Sequence, residues 1–199
     1  MLIGLTGGIA CGKSTVADAL RARGAVIVDA DQVARDVVAP GTPGLAAVVE
    51  AFGEGVLDAD GRLDRSALGA RVFGDEGARR RLEGILHPLI AQESMVQLQA
   101  AAADGPPLVV YDAALLVESG RADLFRPLVV VSAPEAVQRE RLMARDGLDR
   151  AAAEARIAAQ MPVADKAAVA DHVIDNGGDL AATAAQIDAL WARLVEGAP

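Results

Sequence analysis

The sequence predicts a three-layer, doubly wound α/β fold built on a parallel sheet of five strands. Five short runs rich in β-branched residues are unbroken apolar stretches rather than alternating ones, which is typical of parallel strands covered on both faces. Segments with helical periodicity separate these runs, and such alternation favours a parallel sheet wound with helices. The strand runs cover residues 2–6, 25–28, 108–111, 128–131 and 172–174.

The first strand leads directly into a glycine-rich loop. Gly7, Gly12, Lys13 and Ser14 fit the pattern Gly-x-x-x-x-Gly-Lys-Ser/Thr, the loop that wraps nucleotide phosphates. Glycines let backbone N–H groups converge on phosphate oxygens, and the following helix directs its positive dipole end at them. Only two of the 19 basic residues are lysines, so a lysine rarely falls in this frame by chance. The loop predicts binding of a nucleoside triphosphate.

Two long segments between strands read as helical insertions. The gap from Asp31 to Pro107 is too long for one crossover and predicts several helices. An apolar stripe in this gap crosses His87-Pro88, where proline would break a helix or begin a new one. We expect an insertion at about residues 32–107 to form a substrate lobe. A second helical insertion, at about residues 135–169, lies between the fourth and fifth strands.

The composition excludes several classes of function. With 199 residues and 52% hydrophobic content, the chain should form one compact domain, residues 1–199. A net charge of −9 and few aromatic residues argue against a general nucleic-acid binder. No signal pattern or run of membrane-span length is present, and the single cysteine, Cys11, fits a reducing compartment. We expect a soluble cytoplasmic protein; the surface pattern defines no oligomeric state.

Polar residues follow three of the predicted strands. Asp29 and Asp31 come after the second strand, Asp112 after the third, and Asp175-Asn176 after the fifth. Ligands of an open parallel sheet bind at the carboxyl ends of its strands. These side chains are therefore the first candidates for chemistry.

Seven separated motifs extend over nearly the whole chain. They are Gly4-Leu5-Thr6-Gly7-Gly8-Ile9 leading into Gly12-Lys13-Ser14-Thr15; Asp29-Ala30-Asp31 with Ala34-Arg35; Leu86-His87-Pro88-Leu89-Ile90; Leu115-Leu116-Val117-Glu118; Arg141-Leu142 with Arg145; Gln160; and Ala170-Asp171-His172-Val173-Ile174-Asp175-Asn176. In this order they resemble the dephospho-coenzyme A kinases. The resemblance implies a P-loop NTPase-type sheet with a helical substrate-binding insertion and a helical lid. It also implies phosphorylation of the ribose 3′-hydroxyl of dephospho-coenzyme A by ATP with Mg²⁺.

Other functions remain open at this point. Another small-molecule kinase would share the phosphate loop, although the length and His-Pro junction of the first insertion favour the coenzyme A enzyme. A nucleotide-binding regulator without catalysis would bind nucleotide and not turn it over. A guanine-specific switch protein would carry Asn-Lys-x-Asp, and neither lysine here follows asparagine.

Phosphoryl transfer needs positioning and charge neutralisation more than covalent chemistry, and the expected roles follow from that. Lys13 should bridge the β- and γ-phosphates, Ser14 should ligate Mg²⁺, and Thr15 should add a contact at the helix start. The expected ATP-binding residues of the loop are Gly7, Ala10, Cys11, Gly12, Lys13, Ser14 and Thr15.

The acidic residues and His87 have competing interpretations. Asp31 is the choice for orienting or deprotonating the acceptor hydroxyl, and a cap for a helix from near Gln32 is the alternative. Asp29 fits capping and substrate contact equally. Asp112 either holds a metal-bound water or is a turn aspartate. By resemblance His87 shapes the substrate lobe, and a cap or buried polar link is the alternative.

Three further residues are assigned by the resemblance. In such a kinase the helix after strand four forms a lid, at about residues 135–169, from which Arg141 and Arg145 would reach ATP phosphates. A solvated face is the alternative, above all for Arg145. Asn176 resembles the family's adenine-contacting loop, and a left-handed turn residue before Gly177 is the alternative.

Ala10 and Cys11 are where the loop departs from the resemblance, since a glycine and a small residue are usual there. Alanine would tolerate a positive φ poorly. A thiol among convergent N–H groups beside Lys13 should favour the thiolate. We therefore expect Cys11 to be alkylated quickly, and bound Mg-ATP to slow the reaction.

Overall fold

A computed structural model describes residues 1–197 and divides the chain into two compact units. The first, the sheet unit, combines Met1–Val28 with the chain from Ala101 onward, and the second, the helical unit, is Asp29–Ala100. No helix within residues 1–197 has the length and apolar character needed to span a membrane. The helices are α1 (Lys13–Ala22), α2 (Ala30–Asp36), α3 (Pro43–Phe52), α4 (Arg65–Val72), α5 (Glu76–Ala103), α6 (Glu135–Asp146), α7 (Arg150–Ala158), α8 (Val163–Ala168) and α9 (Leu180–Trp191).

The predicted fold class is confirmed by a parallel five-stranded sheet with helices on both sides. Its strands are β1 (Leu2–Gly7), β2 (Val26–Asp29), β3 (Val109–Asp112), β4 (Leu128–Ser132) and β5 (His172–Asp175), in the order β2-β3-β1-β4-β5. Each predicted run matches its strand to within one residue at either end.

The central strand β1 brings the glycine-rich loop to the carboxyl edge of the sheet. Leu5 is level with Asp112 on β3, and Gly7 is level with Val131 on β4. A side chain at Gly7 would approach the Val131 carbonyl oxygen to 2.6 Å, so only glycine fits where the two strands lie this close. The loop therefore begins between the ends of β3 and β4.

The core of the sheet unit lies under α1 and α9. Helix α1 buries Val16, Ala17 and Leu20, and α9 buries Ile187 and Leu190. The two helices pack against each other, and their apolar faces join the buried residues of β1, β3 and β4. The chain continues past α9 in a π-helical turn, Ala192–Glu196.

The helical unit consists of α2, α3, α4 and most of α5, in agreement with several helices in this part of the chain. Its core contains the buried side chains of Val38, Val48, Val56 and Leu68. Thr42 and Asp64 accept hydrogen bonds from the first backbone N–H groups of α3 and α4, which fixes where those helices begin. A substrate-binding role for residues 32–107 stays a prediction.

The break predicted at His87-Pro88 is wrong, because α5 continues for 28 residues through Pro88. Proline has no N–H to donate to the carbonyl of Gly84, one turn earlier. Gly84 is exposed and no other group crowds it, so water can reach that carbonyl. Leu82 and Leu86 pack against the core of the helical unit, and this packing outweighs the local preference of proline.

Candidate functional site

The loop between β1 and α1 has a backbone that few residues adopt easily. Gly12 has φ 84° and ψ 32°, and a side chain there would overlap the Asn176 amide. Ala10 has φ 57° and is the sole residue other than glycine with a positive φ within residues 1–197. The departure noted at Ala10 therefore coincides with real backbone strain.

Helix α1 begins where this loop ends, and no side chain caps its N-terminus. The first N–H groups of an α-helix have no partner inside the helix, and together with the helix dipole they attract an anion. Ser14 and Thr15 lie in this first turn with exposed side chains. A phosphate group suits this position.

Lys13 and Asp112 form an ion pair at the carboxyl edge of the sheet. Their side chains are 19% and 7% exposed, so the charges are partly shielded from water and interact more strongly than on an open surface. Asp112 is the last residue of β3. The ion pair therefore brings the cation of the loop next to Asp112. That Asp112 holds a metal-bound water stays a prediction.

Two side chains donate hydrogen bonds to the carbonyl of Cys11. Asn176 Nδ2 donates to it at 2.8 Å, while Asn176 Oδ1 accepts from the Thr183 hydroxyl at 2.9 Å. Arg141 donates to the same carbonyl at 3.5 Å and to the Asn176 carbonyl at 2.8 Å. Asn176 is buried and its amide holds the loop. Contacts of Asn176 with adenine and of Arg141 with phosphate stay predictions.

Two more side chains hold the beginning of the loop. Gln160 Oε1 accepts from the Ile9 N–H at 2.9 Å, and Lys166 Nζ donates to the Gly7 carbonyl at 3.1 Å. Lys166 is completely buried and also pairs with Glu118. No sequence pattern predicted Lys166, although one signal pointed to it: it is one of only two lysines in an arginine-rich chain.

Comparison with known proteins identifies the family. The sequence profile of dephospho-CoA kinases matches residues 1–182. The chain belongs to the dephospho-CoA kinase family. A dephospho-CoA kinase of Anaeromyxobacter dehalogenans is 57% identical over 193 residues, which cover 97% of this chain and 92% of the relative. One of Leifsonia xyli is 53% identical over 194 residues, covering 97% and 98%.

Two solved structures share the fold of this chain. A crystal structure from Thermus thermophilus is 36% identical and superposes with a TM-score of 0.82, covering 98% of this chain and 97% of that one. A dephospho-CoA kinase from Campylobacter jejuni, 24% identical, gives a TM-score of 0.67 with the same coverage and supports the fold.

The thiolate character predicted for Cys11 is wrong. In this member of the family the side chain is fully buried in the core of the sheet unit, beside the apolar residues of α1. Burial raises the pKa of the Cys11 thiol, and hydrogen bonds from the backbone at Gly8 and Ala133 only partly oppose this effect. The thiol therefore behaves as a small apolar group.

Arg145 forms hydrogen bonds with Asp146 and none with the phosphate loop among the described residues. Its side chain is 61% exposed and pairs with the adjacent Asp146 at 2.7 Å. Arg156 from α7 pairs with the same carboxylate at 2.8 Å. The hydrogen bond from Arg145, above all, lowers the pKa of Asp146. A phosphate contact by Arg145 stays a prediction.

In the helical unit, the cap of α2 is Asp29 and not Asp31. Asp29 Oδ1 accepts from the N–H groups of Asp31 at 2.8 Å and Gln32 at 3.2 Å, so α2 begins at Ala30 and the capping interpretation of Asp31 is wrong. The Asp31 carboxylate is exposed, and residues 1–197 offer it no hydrogen bond or ion pair. His87 is exposed inside α5, so it is neither a cap nor a buried polar link.

Proposed function

We propose that this chain transfers the γ-phosphoryl group of ATP to the ribose 3′-hydroxyl of dephospho-coenzyme A, giving coenzyme A and ADP in the last step of coenzyme A biosynthesis. The observation that carries the proposal is an intact phosphate loop in a chain that the dephospho-CoA kinase profile matches over residues 1–182. We further propose that it acts in the cytoplasm on small molecules rather than on nucleic acid, as its net charge of −9 suggests.

The donor side of the reaction is assigned to the loop and to α1. The backbone from Gly7 to Gly12 and the uncapped N-terminus of α1 bind phosphate oxygens of ATP. Lys13 leaves the carboxylate of Asp112 to neutralise the charge that develops between the β- and γ-phosphates. Thr15 adds a contact in the first turn of α1.

The acceptor side is assigned to Asp31, with help from the lid and the helical unit. Asp31 is exposed and carries no competing hydrogen bond within the described residues, which leaves its carboxylate available to orient the 3′-hydroxyl and take its proton. Arg141 already lies at the loop and stabilises charge on the transferred group. Arg145 is assigned to ATP phosphates, Asn176 to adenine, and His87 to the shape of the substrate lobe.

The residues at the loop are consistent with Mg²⁺. The hydroxyl of Ser14 and the carboxylate of Asp112, through a water, are oxygen donors of the kind that Mg²⁺ prefers. Residues 1–197 contain no group of three or more His, Cys, Asp or Glu that could hold a metal, which fits an ion bound by one or two protein oxygens together with substrate phosphates and water. When bound, Mg²⁺ supplies positive charge to the phosphate oxygens.

One assay tests the proposal. Purified protein is incubated with Mg-ATP and dephospho-coenzyme A, the product is identified by mass, and proton–phosphorus correlation spectra assign the new phosphate to the 3′ position. Addition of one phosphoryl group to the acceptor is expected. Bound ATP without any phosphorylated acceptor would support a nucleotide-binding regulator instead, and turnover with a different small alcohol would support another kinase.

A further inference from the structure

Lys166, on α8, is a buried ammonium group with three oxygen contacts. Its side chain is 0% exposed. Nζ lies 3.1 Å from the carbonyl oxygens of Gly7 and Ala114 and 2.6 Å from Glu118 Oε1. A protonated lysine has three N–H donors: two hydrogen-bond to these carbonyls, and the Glu118 carboxylate is its ion-pair partner. The site is built for a compact tetrahedral cation rather than for the planar fork of arginine.

The two carbonyls belong to the two segments that carry the charged groups of the site. Gly7 opens the phosphate loop, which ends in Lys13. Ala114 follows Asp112 by two residues, and its carbonyl also accepts from the Thr6 hydroxyl at 3.0 Å. One nitrogen therefore ties the segment of Lys13 to the segment of Asp112.

Stability alone does not explain this arrangement. Taking a lysine and a carboxylate out of water is costly, and well-packed apolar residues often replace a buried ion pair without loss of stability. Neither oxygen of Glu118 accepts a hydrogen bond of normal geometry within residues 1–197, so the pair is a poor stabilising device. Lys166 also donates a hydrogen bond to the Gly7 carbonyl of the loop. An apolar pair would lack this contact.

We infer that Lys166 is a positioning residue for phosphoryl transfer, which acts by fixing the Gly7 and Ala114 carbonyls and thereby the spacing of Lys13 and Asp112. Gln160, in the same stretch of chain, holds the Ile9 N–H and reinforces this fixation. The inference rests on the proposed function only for the identity of the acceptor, because ATP binding at the loop is measured without an acceptor.

The test compares ATP affinity, kinetic constants and Tm in four proteins besides the wild type. Lys166→Met removes the cation and leaves Glu118 buried without a partner. Lys166→Met/Glu118→Leu removes the whole pair. Lys166→Arg keeps the positive charge beside Glu118. Arg126→Met is the matched control, because Arg126 pairs with Asp171 at the start of β5, away from the loop.

We expect Lys166→Met to lower Tm, to weaken ATP binding and to lower kcat/KM for ATP by about 10²-fold, the rate loss that a displacement of about 1 Å in a site can cause. The double variant should recover Tm but keep the loss in ATP affinity and in kcat/KM for ATP, with an unchanged KM for dephospho-coenzyme A. Lys166→Arg should also lose ATP affinity. The control should change Tm at most.

Wild-type ATP affinity in the double variant, or in Lys166→Arg, would overturn the inference and reduce Lys166 to a counterion of Glu118. Failure of the proposed function has a different signature, in which the wild type binds ATP but does not phosphorylate dephospho-coenzyme A. The two failures are therefore distinguishable in one set of measurements.

Discussion

Replacing Ala10 with glycine should stabilise the folded chain. Ala10 has φ 57°, and an L-residue in the left-handed region costs about 1–2 kcal/mol. Glycine removes that cost but adds about 0.5–1 kcal/mol of chain entropy to the unfolded state. The difference is a gain of about 0.5–1 kcal/mol, which for a chain of this length raises Tm by about 1–4 °C.

The assay is urea unfolding followed by circular dichroism, with ATP affinity measured in parallel. Gly105→Ala is the matched reverse control, because Gly105 has φ 64° and no atom lies within 4 Å of where its Cβ would be. It should lose about as much free energy of unfolding as Ala10→Gly gains, and Ala10→Gly should bind ATP as the wild type does. A stability of Ala10→Gly at or below that of the wild type, with the control behaving as expected, would refute the reasoning.

Three other predictions concern the site. Lys13→Ala should lower kcat/KM about 10²–10³-fold in steady-state kinetics, as the loss of a donor to developing charge does; activity within tenfold of the wild type would contradict the role of Lys13 beside Asp112. Asp31→Asn should lower kcat and leave ATP affinity unchanged. Asp29→Asn should preserve both kcat and ATP affinity, since asparagine caps a helix as well as aspartate does. Equal kcat values in the two variants would mean that Asp31 has no role in catalysis. Iodoacetamide should label Cys11 slowly at neutral pH with or without Mg-ATP, because burial raises the pKa of the thiol. The labelling rate should rise only in alkaline solution. Rapid labelling at pH 7 would show that the thiol is accessible.

The sheet and the phosphate loop could be predicted because their signals are local. A buried parallel strand needs a short apolar run, and each of the five runs supplied one within a few residues. The loop needs two glycines and a cation, and Gly7, Gly12 and Lys13 lie close together in the sequence. The resemblance also indicated that Ala10 would be strained if its position needs a positive φ, and its φ of 57° meets that condition.

The groups that hold the loop could not be predicted, because their partners are distant in sequence. Lys166 lies 159 positions from Gly7, Gln160 lies 151 from Ile9, and Asn176 lies 165 from Cys11. Whether a buried polar side chain meets a given carbonyl depends on tertiary packing, which no local pattern encodes. The resemblance pointed to Gln160 and Asn176 without revealing what they contact here.

Two predictions are wrong because packing overrules a local rule. The N–H groups and the lysine near Cys11 favour a thiolate, but the side chain turns into the core, where an ion is costly. Proline disfavours a helix interior, yet the apolar stripe on both sides of Pro88 holds α5 together. Capping was an open interpretation for both Asp29 and Asp31, because both acids fit the same rule, and Asp29 is the residue that caps α2.

Gln160, Lys166 and Asn176 contact the phosphate loop but lie far from it in sequence. The loop is therefore synthesised long before the side chains that hold it. The Gly-Lys-Ser motif is synthesised well before Gln160, Lys166 and Asn176, and domains complete their folding as units. A nascent chain that stops before residue 160 contains every residue of the motif and none of these three contacts. The phosphate loop therefore gains these three contacts only after residue 176 has been synthesised.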